Sequence, residues 1–374
     1  MSDNKYPMLG FGLMRLPEND GVIDLDKVCS MVDKYMASGN TYFDTAYVYH
    51  GGNSEKIVKE AIVKRYPRDS FTLATKLPAW SIKTLEDRDR IFNEQLERMG
   101  TDYVDYYLLH SVEDGNNYDV YEKFDCFNWA MEKKAQGKIK NFGFSYHGTP
   151  KLLREILDKH PEVEFVQIQL NYADWNSGLI QSGELYEILS SRNIPITVME
   201  PVKGGTLAKA DPEAEKIFKQ ARPDMSVASW ALRFVGSLPG IKFILSGMSN
   251  DEQMDDNLKT FTNFEPLTDS DKEALEKAKA IMFSFDLVPC TGCRYCVDGC
   301  PSNISIPDVF TALNDKRKFP NDMRPIFYYN GLTSKYGKAS DCLSCGQCEG
   351  VCPQHLNIIE LLKEAADKLE NANF

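Results

Sequence analysis

The sequence predicts an α/β fold, a TIM-type (β/α)8 barrel followed by a small, mainly α-helical, cysteine-rich domain. Three observations predict it. Short β-branched or aromatic runs alternate with longer amphipathic stretches from Gly10 to about Phe261. Eight such strand-helix units fill roughly 250 residues, the usual span of a closed barrel. Eight of the ten cysteines then crowd between Cys290 and Cys352, behind a change of texture at Pro289.

Strands are expected near residues 9–13, 41–44, 71–76, 104–110, 139–145, 165–171, 194–200 and 241–246. The stretches between them, for example 25–38, 54–65 and 88–99, carry apolar positions at helical spacing and suit crossovers between parallel strands. A further helix is expected over 270–281, capped by Thr268 or Asp269, with Leu275, Ala278 and Met282 on one face. The domain boundary is placed near residue 286, giving domains 1–286 and 287–374.

The chain has 374 residues, 43% hydrophobic and 26% charged, which excludes disordered and fibrous classes. Its formal net charge of -12 repels phosphate backbones and anionic headgroups, so no nucleic-acid partner and no membrane partner is expected. Residues 1–13 lack the basic start and apolar run of a secretory signal, and no apolar stretch approaches a membrane span. These features point to the cytoplasm, where cysteines serve as ligands or free thiols rather than disulfides.

The cysteines fall into two runs, Cys290, Cys293, Cys296 and Cys300 before Pro301, and Cys342, Cys345, Cys348 and Cys352 before Pro353. Each run is C-x2-C-x2-C-x3-C-P, in which three thiolates can hold three iron corners of one cube. Paired C-x2-C thiolates also suit zinc, although a zinc site needs two pairs and not two quartets each ending in Cys-Pro. Both runs resemble the bacterial ferredoxins. That resemblance implies two 4Fe-4S clusters with crossed fourth ligands, one held by Cys290, Cys293, Cys296 and Cys352, the other by Cys342, Cys345, Cys348 and Cys300. Residues 305–313 and 357–366 read as helices, so the module resembles the α-helical, ferredoxin-type domains attached to larger redox enzymes.

In the barrel, an apolar run ends in Asp44 with Tyr49 five residues later, Lys76 closes the third strand and His110 the fourth. All lie at or just past strand C-termini, where barrel enzymes place their chemistry. Here the chain resembles the aldo-keto reductases, whose site uses Asp, Tyr, Lys and His from successive strand ends. The resemblance implies an iron-sulfur oxidoreductase that reduces a small carbonyl substrate, or oxidises the alcohol, with NAD(P)(H). Tyr49 would protonate the developing alkoxide, and Lys76 would lower the phenol's pKa. Asp44 would hold Lys76, while His110 would orient the carbonyl oxygen. His50, Trp80, His147 and Trp175 either line the pocket or are ordinary rim aromatics. Cys29 and Cys126 read as small buried hydrophobes.

The resemblance continues through the remaining strand ends and implies nicotinamide and pyrophosphate contacts from Ser145, Gln169 and Gly204. It also implies an adenosine-binding turn carrying Ser246, Gly247, Ser249, Gln253 and Asn257. Two departures stand out. Met199 occupies the position where the family often stacks a tyrosine, and residues 246–257 contain no Lys or Arg to grip a 2'-phosphate. Nicotinamide moves two electrons and each cluster one, which leaves room for a flavin in the barrel mouth. Two alternatives to the reductase follow. In one, the chain is an electron-transfer protein whose barrel binds a flavin or docks a redox partner protein while the clusters relay electrons. In the other, the clusters only staple a small domain.

Overall fold

Eight parallel strands close on themselves in chain order, each hydrogen-bonded to the next and the last to the first. The computed structural model describes residues 8–113, 117–262 and 264–371. The barrel strands are β1 Met8–Gly12, β2 Tyr42–Asp44, β3 Thr72–Pro78, β4 Val104–Val112, β5 Ile139–Tyr146, β6 Phe165–Gln169, β7 Ile196–Met199 and β8 Ile241–Ser246. Residues 1–7 of the amino-terminal stretch read for a secretory signal lie outside the described residues. No described helix is long and apolar enough to cross a membrane.

The chain divides into two compact units, residues 1–176 with 180–278, and residues 177–179 with 279–374. In the first, side chains alternate across each strand. One set packs outward under the helices; on the helix Leu25–Ala37, for example, Val28, Met31, Val32 and Tyr35 form a buried stripe. The other set fills the barrel with Tyr42, Ala74, Tyr106, Leu108, Phe165, Phe243 and Leu245. Tyr42 stacks on Phe243 at 3.9 Å between ring centroids. Space is tight enough that a Cβ on Gly143 would lie 2.2 Å from the Phe165 carbonyl oxygen, which only glycine avoids.

Departures from the expected elements have local causes. Strand β7 is shorter than residues 194–200, because Pro195 has no N–H to give and Glu200 turns left-handed at φ +52. The helix Asn53–Val58 does not run on unchanged to residue 65; its continuation, Lys59–Val63, is a π-turn. The helix expected over 270–281 spans Asp269–Met282. Leu275 and Ala278 are buried, whereas Met282 is only partly so.

The second unit repeats one plan twice. Each cysteine of the second run follows its counterpart at the same interval, and so do the 13-residue helices Ile306–Lys318 and Ile358–Glu370. The backbone repeats as well. Left-handed residues pair up as Gly292 with Ser344, Arg294 with Gly346, and Asn303 with His355. Between the copies the helix Arg324–Thr333 packs Ile326 and Tyr329 into a core with Ile306, Phe310, Leu313, Ile358 and Leu362.

Candidate active site and iron-sulfur cages

The inward positions of β2, β3 and β4 step from apolar to polar at their C-terminal ends: Tyr42 gives way to Asp44, Ala74 to Lys76, and Leu108 to His110. Lys76 is 1% exposed and Asp44 3%. A buried ammonium must find acceptors for its three hydrogens, and Lys76 Nζ donates to Asp44 Oδ1 at 2.7 Å, to the Thr45 carbonyl at 2.7 Å and to Tyr49 Oη at 3.4 Å. With a lone pair of Tyr49 Oη engaged, its O–H is free to point elsewhere. The Tyr49 ring meets His110 edge-on at 6.0 Å, and exposed Trp80 covers His110 at 5.2 Å.

A buried network fixes the backbone behind these groups. Glu55 Oε1 accepts from Thr75 Oγ1 at 2.7 Å and from Gln95 Nε2 at 2.9 Å, and Gln95 Nε2 also donates to the Lys76 carbonyl. Arg98 donates both to Glu55 and to the Tyr47 carbonyl, tying the segment that bears Tyr49 to the strand that bears Lys76.

The expected lowering of the Tyr49 phenol does not occur. Burial pushes it up, and the Lys76 charge offsets only part of that effect. Burial likewise pushes the Asp44 carboxyl up against Lys76. For Lys76 burial works downward, yet the Asp44 charge and the hydrogen bonds to Asp44 and Tyr49 prevail and raise the ammonium above its ordinary range. Burial, then repulsion from Lys76, lowers His110 to about 3, so its imidazole is neutral in the folded chain.

The His110 shift has a consequence for stability. The folded value lies below the ordinary value of about 6.5, so the stabilisation is full above about pH 6.5 and is lost as pH falls toward about 3. Between pH 7 and 5 one such group costs about 2 kcal/mol. The fall in thermal midpoint between those pH values is therefore expected to be smaller in His110→Gln than in the parent protein.

The cofactor candidates form two groups. Inside the mouth, Gln169 Nε2 donates to Asp174 Oδ2 at 2.8 Å, which turns Gln169 Oε1 the other way. Among the described residues nothing hydrogen-bonds that buried oxygen. Asp174 is itself fixed by Asn171 and by Lys203 Nζ at 2.8 Å. Ser145 Oγ accepts from the N–H of left-handed Ser111 at 2.8 Å. Past β8, Asn257 Nδ2 donates to Ser246 Oγ at 2.7 Å and the Ser249 N–H to Gln253 Oε1 at 2.7 Å, closing the turn around Gly247.

Arg15 links this turn to Gly204 and was not among the expected site residues. Its Nη1 donates to the Gly204 carbonyl at 3.3 Å, its own carbonyl accepts from Ser249 Oγ at 2.8 Å, and a Cβ on Gly247 would lie 3.5 Å from its side chain. An exposed cation therefore stands where residues 246–257 supply none. The rim aromatics divide. His50 is committed to the first loop, accepting from the Leu16 N–H through Nε2 and bonding Glu18 through Nδ1. Trp175 packs with Tyr186 and Phe234. Cys126 is buried and Cys29 partly so.

In the second unit each cysteine quartet lines its own cavity. Cys290, Cys293, Cys296 and Cys352 surround one, and Cys342, Cys345, Cys348 and Cys300 surround the other. The fourth cysteine of each run thus faces the other run's cavity. Ile306 lines both, so a single side chain forms part of the shared wall.

The profile of the aldo/keto reductase family matches residues 8–280. The chain belongs to that family. A 4Fe-4S dicluster domain matches residues 289–357, so this aldo/keto reductase is an oxidoreductase-family barrel followed by an iron-sulfur domain. It is 25% identical over 306 residues to the uncharacterized oxidoreductase YqkF of Bacillus subtilis, covering 74% of this chain and 93% of the relative. It is also 25% identical over 296 residues to L-galactose dehydrogenase of Arabidopsis thaliana, covering 74% and 91%. Among solved structures, the aldo/keto reductase of Klebsiella pneumoniae in complex with NADP and acetate has a TM-score of 0.57 at 21% identity, covering 74% of this chain and 91% of that one. An aldo-keto reductase of Bacillus halodurans in its holo form has a TM-score of 0.56 at 22% identity, covering 74% and 94%. At these identities the structural likeness concerns the fold.

Proposed function

We propose that this aldo/keto reductase interconverts a small carbonyl compound and its alcohol with NAD(P)(H), and that residues 287–374 carry two 4Fe-4S clusters. The observation that carries the first part is the Lys76 ammonium, whose three donors are taken by Asp44, Thr45 and Tyr49 in a buried pocket. A bound nicotinamide supplies or accepts the hydride. Tyr49 donates a proton to the carbonyl oxygen as negative charge develops on it, and Lys76, one bond behind, stabilises the phenolate left behind. Because burial holds the phenol above its ordinary range, the proton stays on Tyr49 until that charge appears. Neutral His110 can donate one N–H to the same oxygen and orient it.

The chain's residues fit a dinucleotide. Gln169 Oε1 is an orphaned buried acceptor suited to a carboxamide N–H, and Asp174 fixes which end of that amide faces out. Gly204 and Gly247 leave backbone open to phosphate, with Arg15 between them. The Klebsiella pneumoniae structure that shares the fold binds NADP. Arg15→Gln is expected to weaken both NADH and NADPH binding about tenfold, the loss of one charge-assisted hydrogen bond, as measured by calorimetry. Anaerobic assay of dinucleotide oxidation with a panel of small aldehydes and ketones tests the reading as a whole. Protein that binds neither dinucleotide and turns over none of them overturns it.

For the clusters, two thiolate quartets facing two cavities fit two cubes, with the ligands divided as those cavities divide them. Iron and sulfide analysis should return about eight of each per chain.

A further inference from the structure

The two cages follow one plan, so the residues in which the copies differ are the ones that make the clusters unlike. Three charged differences fall within the cysteine runs; one, Asp298 against Gly350, is exposed and screened by solvent, and the other two are held by hydrogen bonds beside the cages. At the left-handed position inside the first cysteine run the chain carries Arg294, where the second run has Gly346. A side chain there costs about 1–2 kcal/mol relative to glycine. Arg294 nevertheless lines the first cage, and its half-exposed guanidinium is anchored to Ser305 Oγ at 2.9 Å and to Asp308 at 3.1 Å.

The second difference is Glu349, which follows the third cysteine of its run, where the first run has Val297. Glu349 Oε1 accepts from the Ile359 N–H at 2.9 Å, and Ile359 lines the second cage. The counterpart of Ile359 is Pro307, which has no N–H and needs no such acceptor. The second cage also has a nearby cation, Lys363, but it is paired with Glu360 at 2.7 Å and both side chains are mostly exposed, so solvent screens them. Each cage thus has one cation–carboxylate pair and only the first has its cation in the lining; the second adds a half-buried anion bonded to its lining residue Ile359, whereas the first run's extra anion, Asp298, is exposed.

Adding an electron to a cluster adds negative charge, which a neighbouring cation stabilises and a neighbouring carboxylate opposes. We propose that the two clusters are held at different reduction potentials, the one bound by Cys290, Cys293, Cys296 and Cys352 beside Arg294 being the higher, and the one bound by Cys342, Cys345, Cys348 and Cys300 beside Glu349 the lower. The first electron to arrive settles on the Arg294 side of Ile306, and the second cluster fills only under a stronger reductant.

The inference rests on the two-cluster reading, which iron and sulfide content tests beforehand; a preparation with far fewer than about eight irons fails that reading rather than this one. The test is a mediated redox titration of the anaerobically prepared full chain, followed by electron paramagnetic resonance. Two one-electron waves are expected, separated by at least tenfold in reduction equilibrium, about 59 mV for a one-electron couple. Repulsion between identical clusters would also split the waves, so selectivity decides. Arg294→Gly, which installs the residue found in the twin loop and relieves the backbone, should lower the first wave alone. Glu349→Gln, which keeps the oxygen that accepts from Ile359, should raise the second wave alone. A single unresolved wave, a response of the wrong wave, or no response from either variant overturns the proposal.

Discussion

Tyr49→Phe is expected to lower turnover about 10²- to 10⁴-fold, the range for removing a positioned general acid, while dinucleotide affinity stays within about twofold. Lys76 keeps its Asp44 and Thr45 contacts when the phenol oxygen is gone and so remains buried and paired. The ring's edge-on contact with His110 involves carbon and persists in phenylalanine. The change therefore removes the proton that Tyr49 Oη would deliver and little else. Single-turnover measurement with preloaded NADPH separates the chemical step from binding. A variant that turns over within a few-fold of the parent protein would mean that the proton comes from elsewhere in the mouth.

The barrel was legible because its inner face follows a simple rule. Every second residue on a strand points inward, and runs such as Tyr42 to Asp44 and Leu108 to His110 change from apolar to polar where the packed interior meets the mouth. The length of β7 was not legible in the same way, since Ile194 and Glu200 look like strand residues until Pro195 and the left-handed turn at Glu200 are taken into account. The helix Arg324–Thr333 is not marked in the sequence because its buried positions, Pro325, Ile326 and Tyr329, are too few to set a period.

Asp44, Tyr49, Lys76 and His110 could be read one strand end at a time. Arg15 could not: it belongs with Gly204 and Ser249 only because closure puts β1 beside β8, a neighbour relation spanning nearly the whole barrel sequence. The direction of the Tyr49 shift was also beyond the sequence. The nearby lysine could be read, but the depth of burial that outweighs it depends on packing across several strands.

The crossing of the fourth cysteines leads to the prediction with the largest effect on composition. Cys352→Ala and Cys300→Ala should each lose one whole cluster, halving the iron to about four per chain, because an open corner leaves the cube exposed to loss. The doubles decide which thiolates act together. Cys352→Ala with Cys290→Ala strikes a single cavity twice and should leave about the same iron as either single change. Cys352→Ala with Cys348→Ala strikes both cavities and should leave almost none, although those two residues belong to one sequence run. If each run instead held its own cube, this second double would retain about half the iron and the first would lose all of it. The two arrangements therefore predict opposite results from the same pair of proteins. Because each crossed thiolate ties one copy of the repeated plan to the other, loss of either should also lower the unfolding midpoint of the second unit, whose core of Ile306, Phe310, Ile358 and Leu362 is small.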